Sequence, residues 1–145
     1  MTSGCARANI PAMAKGYEAN AERVRALQAL GKDLARRARS RCELCGTGGV
    51  PLAPFEVPPV QLEPDLERTA LLCEGCRQAI GRPAALRGQQ WRCLVDVLWG
   101  ELPVTQVLAL RMLERLAGGE DWAREALDLF TAEPELREWA DAAPL

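Results

Sequence analysis

Apolar residues recur every three or four positions between residues 18 and 39. This spacing gathers them on one face and predicts an amphipathic helix of about six turns. Gly31 is the weakest point of that helix, because glycine has a low helix propensity. The apolar stripe comprises Val24, Leu27, Leu30, Leu34 and Ala38.

The helical period disappears between residues 42 and 76, which predicts irregular and β structure. Residues 50 to 57 have an extended character. Pro51 and Pro54 confine such a strand to a sheet edge or a bulge, because proline cannot donate a hydrogen bond to the ladder. Leu71 and Leu72 form a short apolar run, which predicts a buried segment ahead of Cys73.

Helical spacing returns after residue 88 and continues to the end of the chain. Pro103 suits the first turn of a helix that runs to Leu116, and Gly118 and Gly119 end it. Another helix is expected around residues 122 to 130, and a short last one at residues 134 to 139. The apolar stripe ahead of Pro103 comprises Trp91, Leu94, Val95, Leu98 and Leu102.

All four tryptophans follow residue 90, which predicts that the larger hydrophobic core lies in this part of the chain. The residues expected to share that core, packed against the stripe of the first helix, are Trp91, Leu98, Leu110, Leu113, Trp122 and Phe130. The predicted fold class is α+β and mostly helical. A loose tail (residues 1 to 12) precedes a basic helix with a cysteine module (13 to 88). A helical region (89 to 145) then packs on the first helix.

Charge is unevenly distributed along the 145 residues, although the formal net charge is only −2. Residues 1 to 45 hold nine Lys/Arg and four Asp/Glu, a net of +5, whereas the remainder holds nine and sixteen, a net of −7. Any attraction to an anionic polymer must therefore be local. No apolar run approaches the roughly 18 to 20 residues that span a bilayer. The first twenty residues also lack the apolar centre of a secretory signal. We therefore expect no membrane contact and a cytoplasmic location.

Four cysteines form two matching pairs, Cys42-x2-Cys45 and Cys73-x2-Cys76, with 27 residues between them. A pair of this spacing on a tight knuckle can place both sulfurs about 2.3 Å from one ion. The pattern predicts a four-thiolate site, and a closed, sulfur-only set favours one structural zinc. Disulfides and a redox dithiol are the alternatives. Disulfides are rare in a reducing cytoplasm, and a dithiol motif needs a βαβ pattern that neither pair has.

The two remaining cysteines are expected to play no part in the site. Cys5 falls in the predicted tail and is interpreted as a mobile thiol. Cys93 falls within the apolar stripe of a predicted helix and is interpreted as a core thiol.

A knuckle, an extended hairpin and a second knuckle that opens a helix follow the element order of a treble clef, a zinc-ribbon-like module. The segments VPLAPFEVPP and LERTALLCEGC resemble the HNH nuclease layout in particular. The places that carry histidine and asparagine in that layout hold Phe55, Glu56, Thr69 and Arg77 here. The chain has no histidine, and phosphodiester hydrolysis needs a general base and an open metal position. We therefore expect an HNH-like scaffold that does not cleave DNA.

A wider resemblance covers residues 13 to 139. Its motifs are GYEANAERVRALQALGKDLARRARSRCELCG, VPLAPFEVPP, LLCEGC, WRCLVDVLWGELPVTQVLALRMLERL and WAREALDLF. In order and spacing they resemble the bacterial PhnA-like proteins, which take their name from an alkylphosphonate-utilisation operon. The resemblance implies zinc coordination by Cys42, Cys45, Cys73 and Cys76. We do not carry over a phosphonate-hydrolysing activity, because a four-cysteine site leaves no open metal position.

Four arginines crowd the end of the first predicted helix, at positions 36, 37, 39 and 41. Arg36, Arg37, Arg39 and Arg41 are candidates for contact with phosphate or nucleic acid. The alternative is a charge role, because basic residues offset the dipole at a helix C-terminus. They would also offset the formal −2 charge of a zinc–tetrathiolate centre.

Three classes of function remain open. The first is a structural zinc module with a protein partner, acting as a binding or regulatory protein. The second is a nucleic-acid binder on the HNH-like scaffold. The third is an enzyme of phosphonate or other metabolism, for which the only dense carboxylate cluster near the cysteines is Glu56, Glu63, Asp65 and Glu67. That cluster reads more simply as a solvated turn.

Overall fold

The structure, a computed structural model, describes residues 18 to 145. The predicted tail (residues 1 to 12) and Cys5 lie outside the described residues. Within the described part the fold is α+β and mostly helical, with one two-stranded sheet. None of the helices in this part of the chain combines the length and the apolar character that a membrane span requires.

The first predicted helix is divided into two. Helix α1 covers residues 18 to 29, a turn follows at Leu30, and helix α2 covers Gly31–Ala38. The break falls beside Gly31, the residue with the lowest helix propensity in the segment. The apolar stripe does not form one continuous buried face either, because Leu34 is fully buried whereas Val24 is 44% exposed.

The sheet consists of β1 (Leu52–Glu56) and β2 (Thr69–Cys73), which pair antiparallel. Pro54 lies opposite Leu71 in the register. The backbone N–H and C=O groups of Leu71 are both bonded to Glu43. Pro54 therefore occupies a position at which the strands exchange no hydrogen bond, and its missing N–H costs nothing. The prediction of a proline-limited edge strand is confirmed for this segment.

Helix α3 (Glu74–Gly81) follows β2 directly, and four further helices complete the chain. They are α4 (Cys93–Leu98), α5 (Pro103–Leu116), α6 (Asp121–Asp128) and α7 (Pro134–Ala142). Helix α5 packs against α4, α6 and α7, and ten of its 14 residues are buried. A helix that is apolar nearly all round belongs at the centre of a bundle. The predicted start at Pro103 and end before Gly118 are confirmed.

Leucines, not tryptophans, fill the middle of the core. Leu98, Leu110 and Leu113 are buried as predicted, but Trp91, Trp122 and Phe130 only pack partly buried at its margin. Trp99 is 59% exposed, although it also lies in this region. The apolar side chains of α5 leave no central space for indole rings, whose N–H groups favour a boundary position.

One charged side chain joins two helices of the bundle from within. Arg111 of α5 is buried and donates to the backbone carbonyls of Trp139 (2.6 Å) and Ala140 (3.1 Å) in α7. These carbonyls belong to the last turn of α7, where no further helical N–H is available. Burial lowers the pKa of Arg111 from its ordinary value, and the negative end of the helix dipole offsets part of that cost.

The principal neighbour of α2 is strand β2, and α5 also contacts β2. The strand therefore lies between the basic helix and the helical region. The core is continuous across this boundary, since Leu44, Ala70 and Leu72 belong to the same buried cluster as the leucines of α5. Packing of the helical region directly on the first helix, and the domain limits at residues 13, 88 and 89, stay predictions.

Candidate metal centre

The first cysteine pair lies on a tight turn between helix α2 and strand β1. The N–H of Cys42 donates to the carbonyl of Thr47 (2.9 Å), and the N–H of Gly46 donates to the carbonyl of Cys42 (2.9 Å). Gly46 has a φ of 78°, which favours glycine because it lies in the left-handed region. This local chemistry places Cys42 and Cys45 on the same side of the turn.

The second pair lies where strand β2 becomes helix α3. Cys73 is the last residue of β2 and the N-cap of α3, and Cys76 lies in the first turn of the helix. The helix begins two residues earlier than the predicted start near Cys76. Its positive end therefore lies beside both sulfurs and offsets part of the cost of ionising them.

The sulfur atoms of Cys42, Cys45, Cys73 and Cys76 all lie within 4.8 Å of one another. The Sγ–Sγ distance is 3.6 Å between Cys42 and Cys76 and 3.6 Å between Cys45 and Cys73. Sulfurs 2.3 Å from a tetrahedral ion would lie about 3.8 Å apart. The donor set and its spacing therefore fit a metal ion held by four thiolates, with one ligand pair from each knuckle.

The four sulfurs lie close enough to shift the pKa values of one another. The hydrogen bond with Cys76, joined by backbone N–H groups, lowers the pKa of Cys42 to about 4. The same hydrogen bond, together with burial, raises the pKa of Cys76, and burial raises that of Cys73. The shared hydrogen bond and burial thus favour the thiolate form of Cys42 and the protonated forms of Cys73 and Cys76. A divalent cation can displace these protons, since it offsets the charges in their place.

A buried ion pair fastens the two halves of the cluster together. Glu43, which lies between Cys42 and Cys45, has a side chain only 5% exposed and forms a bidentate pair with Arg37 at 2.7 and 2.9 Å. Its carboxylate also accepts from the N–H of Leu71 (2.8 Å), while its own N–H donates to the carbonyl of Leu71 (2.9 Å). The first knuckle is thereby bonded to the strand that carries Cys73.

Arg37 completes this clamp from helix α2. Its guanidinium donates to the backbone carbonyls of Leu66 (2.9 Å) and Thr69 (2.7 Å) as well as to Glu43. The edge of β2 that faces away from β1 is therefore bonded to the side chain of Arg37 and to the side chain and backbone N–H of Glu43, instead of to a third strand. This role explains why Arg37 is not available for an external phosphate, unlike its neighbours in the sequence.

The other three predicted arginines remain exposed. Arg36 makes one long contact with Asp33 (3.6 Å), and its side chain is 79% exposed. Arg39 and Arg41 are exposed on the turn that leads into the first knuckle, where Arg41 approaches the carbonyl of Gly46 at 3.5 Å. The sequence pattern grouped all four arginines, whereas the structure separates one clamp residue from three surface residues.

Glu56, the residue in the HNH-like position, is held by an ion pair. Its carboxylate accepts two hydrogen bonds from Arg23, at 2.5 and 2.9 Å, and Thr69 lies opposite it in the sheet. Glu63, Asp65 and Glu67 are exposed, and the Asp65 carboxylate accepts from the N–H of Glu67. The carboxylate cluster is thus an ion pair beside a solvated turn.

Cys93 lies outside the group of four sulfurs. It is partly buried at the start of α4, packs against the core, and has a pKa raised by burial. Cys93 was predicted to be a core thiol, and it lies at the margin of the core.

Two sets of contacts were not predicted from the sequence. One is the Arg37–Glu43 ion pair with its bonds to β2, and the other is the contact of Arg111 with the end of α7. Two signals were present: Glu43 is a charged residue inside a cysteine knuckle, and Arg111 interrupts the apolar run VLALRMLERL. Charges at such positions are costly unless they have partners, so each marks a specific partner elsewhere in the chain.

Comparisons of the chain with models of protein families, with curated protein sequences and with solved structures found no match. The four-cysteine cluster and the fold around it therefore carry the functional argument.

Proposed function

We propose that the protein is a zinc-binding module in which one zinc ion is structural, and that the module serves as a binding or regulatory platform for a protein partner. The observation that carries this proposal is the group of four cysteine sulfurs within 4.8 Å of one another. An all-thiolate set favours zinc over magnesium or calcium, which prefer oxygen ligands.

A structural role follows from the number of ligands. Four protein thiolates fill the tetrahedral positions of zinc, and a catalytic zinc instead keeps one position for water or substrate. When bound, the ion would link the turn at residues 42 to 47 to the start of α3. Glu56 also supports a structural role over a catalytic one, because its carboxylate is paired with Arg23 instead of being free to act as a base.

The finer assignment that we propose is a treble-clef module of the HNH-like type in a PhnA-like protein. The order of knuckle, β-hairpin, knuckle and helix supports it. The resemblance of the motifs to PhnA-like proteins supports it as well. In this proposal the scaffold is kept while the nuclease chemistry is lost, since the chain has no histidine.

The decisive experiment is elemental analysis of the purified chain. We expect one zinc per chain in the native protein and in Cys93→Ser. We expect a large loss of zinc in Cys73→Ser, because Cys73, unlike Cys93, belongs to the group of four sulfurs. The proposal fails if the native protein carries less than about a tenth of an equivalent, or if Cys93→Ser loses zinc as readily as Cys73→Ser.

Nucleic-acid binding is the second candidate, favoured by the exposure of Arg36, Arg39 and Arg41. The test is a duplex-DNA shift measured from low to high salt, because phosphate contacts weaken steeply as salt rises. Replacing the three arginines with glutamine should abolish such binding. Binding that survives this replacement would leave these arginines only a charge-balancing role beside the metal centre.

A further inference from the structure

A cleft of about 620 Å³ opens on the face of the bundle where α4 meets α5 and α7 begins. Three aromatic side chains line it: Trp99, Phe130 and Trp139. The Trp99 and Phe130 rings meet edge to face, with centroids 5.1 Å apart. This cleft is separate from the cysteine cluster, none of whose sulfurs lines it.

Trp99 is the aromatic residue of the cleft that exposes a large apolar surface to solvent. It follows α4, and 59% of its surface is exposed, although Leu98 beside it is fully buried. Partly exposed tryptophans at the mouth of a cleft are typical anchors of protein interfaces, because covering them removes a large apolar area from water.

The charged residues that line the cleft indicate whether a cationic or an anionic ligand would bind there. Glu67, Glu133 and Glu135 line it and are exposed, and Arg68 is the only basic residue among its lining residues. The N-termini of α5 and α7 open onto the cleft and contribute roughly half a positive charge each. Three carboxylates against Arg68 and two helix ends leave the rim negative. An anionic ligand is therefore disfavoured.

One cationic group of the chain already contacts an aromatic residue of the cleft. The guanidinium of Arg68 stacks on the Trp139 ring, 4.4 Å from its centroid, while the indole N–H donates to the carbonyl of Pro58 (3.2 Å). An aromatic face next to carboxylates attracts a planar guanidinium by cation–π and ionic contacts together. Trp99 offers a second aromatic surface within the same negative rim, and no guanidinium of the described residues stacks on it.

We propose that this cleft binds an arginine side chain from a cationic segment of a partner protein, with Trp99 as the stacking surface and Glu133 and Glu135 as ionic contacts. The inference rests on the proposed role of the protein as a binding module, and it gives the chemical class of the partner.

The test uses the zinc-loaded full chain and N-acetyl-arginine amide as the probe. Binding is followed by NMR through the indole N–H signals, with the signal of Trp99 assigned from a Trp99→Phe variant. We expect a saturable shift of the Trp99 signal with the arginine probe. N-acetyl-citrulline amide, which has nearly the same shape without the charge, should cause no comparable shift at equal concentration.

Matched variants separate the cleft from general charge attraction. Glu133→Gln with Glu135→Gln should weaken binding about fivefold, the effect of losing two exposed ionic contacts. Glu125→Gln with Glu138→Gln removes the same charge from exposed positions outside the cleft and should leave binding unchanged.

Three outcomes would overturn the proposal: no shift at tens of millimolar probe, equal shifts with the citrulline probe, or equal weakening by the two double variants. Zinc content is measured on the same samples. A protein that retains one zinc but does not bind the probe contradicts the cleft alone, whereas loss of zinc contradicts the proposed function.

Discussion

The cysteine module and the helical bundle are held together by different means. In the bundle, α5 buries ten of its 14 residues, and leucines fill the space between four helices. In the module, the cysteine cluster and the Arg37–Glu43 ion pair lie beside a sheet of only two strands, and its buried apolar residues, among them Leu44 and Leu72, join the core of the bundle. Apolar burial is sufficient for the first region. A two-stranded sheet is marginal by itself, so we expect the second region to depend on the metal site and on the core that it shares with α5.

This contrast predicts that removing the metal affects the two regions unequally. After chelation of zinc, β2 and α3 should lose protection against hydrogen exchange, because structural zinc contributes about 10 to 16 kcal/mol in small zinc modules. Helix α5 should remain protected. Its melting temperature should still fall when zinc is removed, because the bundle shares part of its core with the module. Equal loss of protection in both regions would show that they form a single cooperative unit.

The bundle should be most sensitive to cavities in its centre. Leu113→Ala removes a fully buried side chain and should cost about 2 to 5 kcal/mol, measured by urea unfolding at saturating zinc. Leu129→Ala is the matched control, since Leu129 is 77% exposed and its loss should cost less than about 0.5 kcal/mol. Similar costs for the two variants would contradict the leucine-centred core.

The module should be sensitive to the clamp between its halves. Glu43→Gln preserves the shape of the side chain but breaks its ion pair with Arg37, and should lower zinc affinity about 10- to 100-fold, as for other groups that orient metal ligands. Competition with a chelating dye measures this. Glu56→Gln breaks a comparable pair with Arg23, away from the cysteines, and should retain zinc affinity. If both variants lose affinity equally, the clamp has no specific effect on the metal centre.

The smallest expected effect concerns the one buried charge of the bundle. Arg111→Met leaves the carbonyls of Trp139 and Ala140 without their donor and should cost about 1 to 2 kcal/mol. Arg115→Met, at an exposed position on the same helix, should cost less than about 0.5 kcal/mol. Thermal unfolding at saturating zinc compares them. An unchanged Arg111→Met would mean that water or a shifted helix end replaces the guanidinium at little cost.

Much of the local structure could be predicted from the sequence. Pro103 marked the start of α5, because proline suits the first turn of a helix. Gly118 marked its end through low helix propensity, and neither Gly118 nor Gly119 adopts a positive φ. The x2 spacing of each cysteine pair indicated two knuckles, because that spacing suits a tight turn around an ion. The division of the first helix at Leu30 was predicted only as a weak point at Gly31.

The sequence by itself determined the local patterns: two pairs of cysteines and no histidine, a proline-limited strand and an apolar central helix. These are properties of single residues and of their local spacing. Only the tertiary structure decided that Glu43 pairs with Arg37 and Leu71, that Arg111 joins α7, and that Trp99 stays exposed beside three glutamates. Arg37 and Glu43 are only six residues apart, but Leu71 lies 28 residues from Glu43 and Ala140 lies 29 residues from Arg111. Such arrangements depend on how whole elements pack.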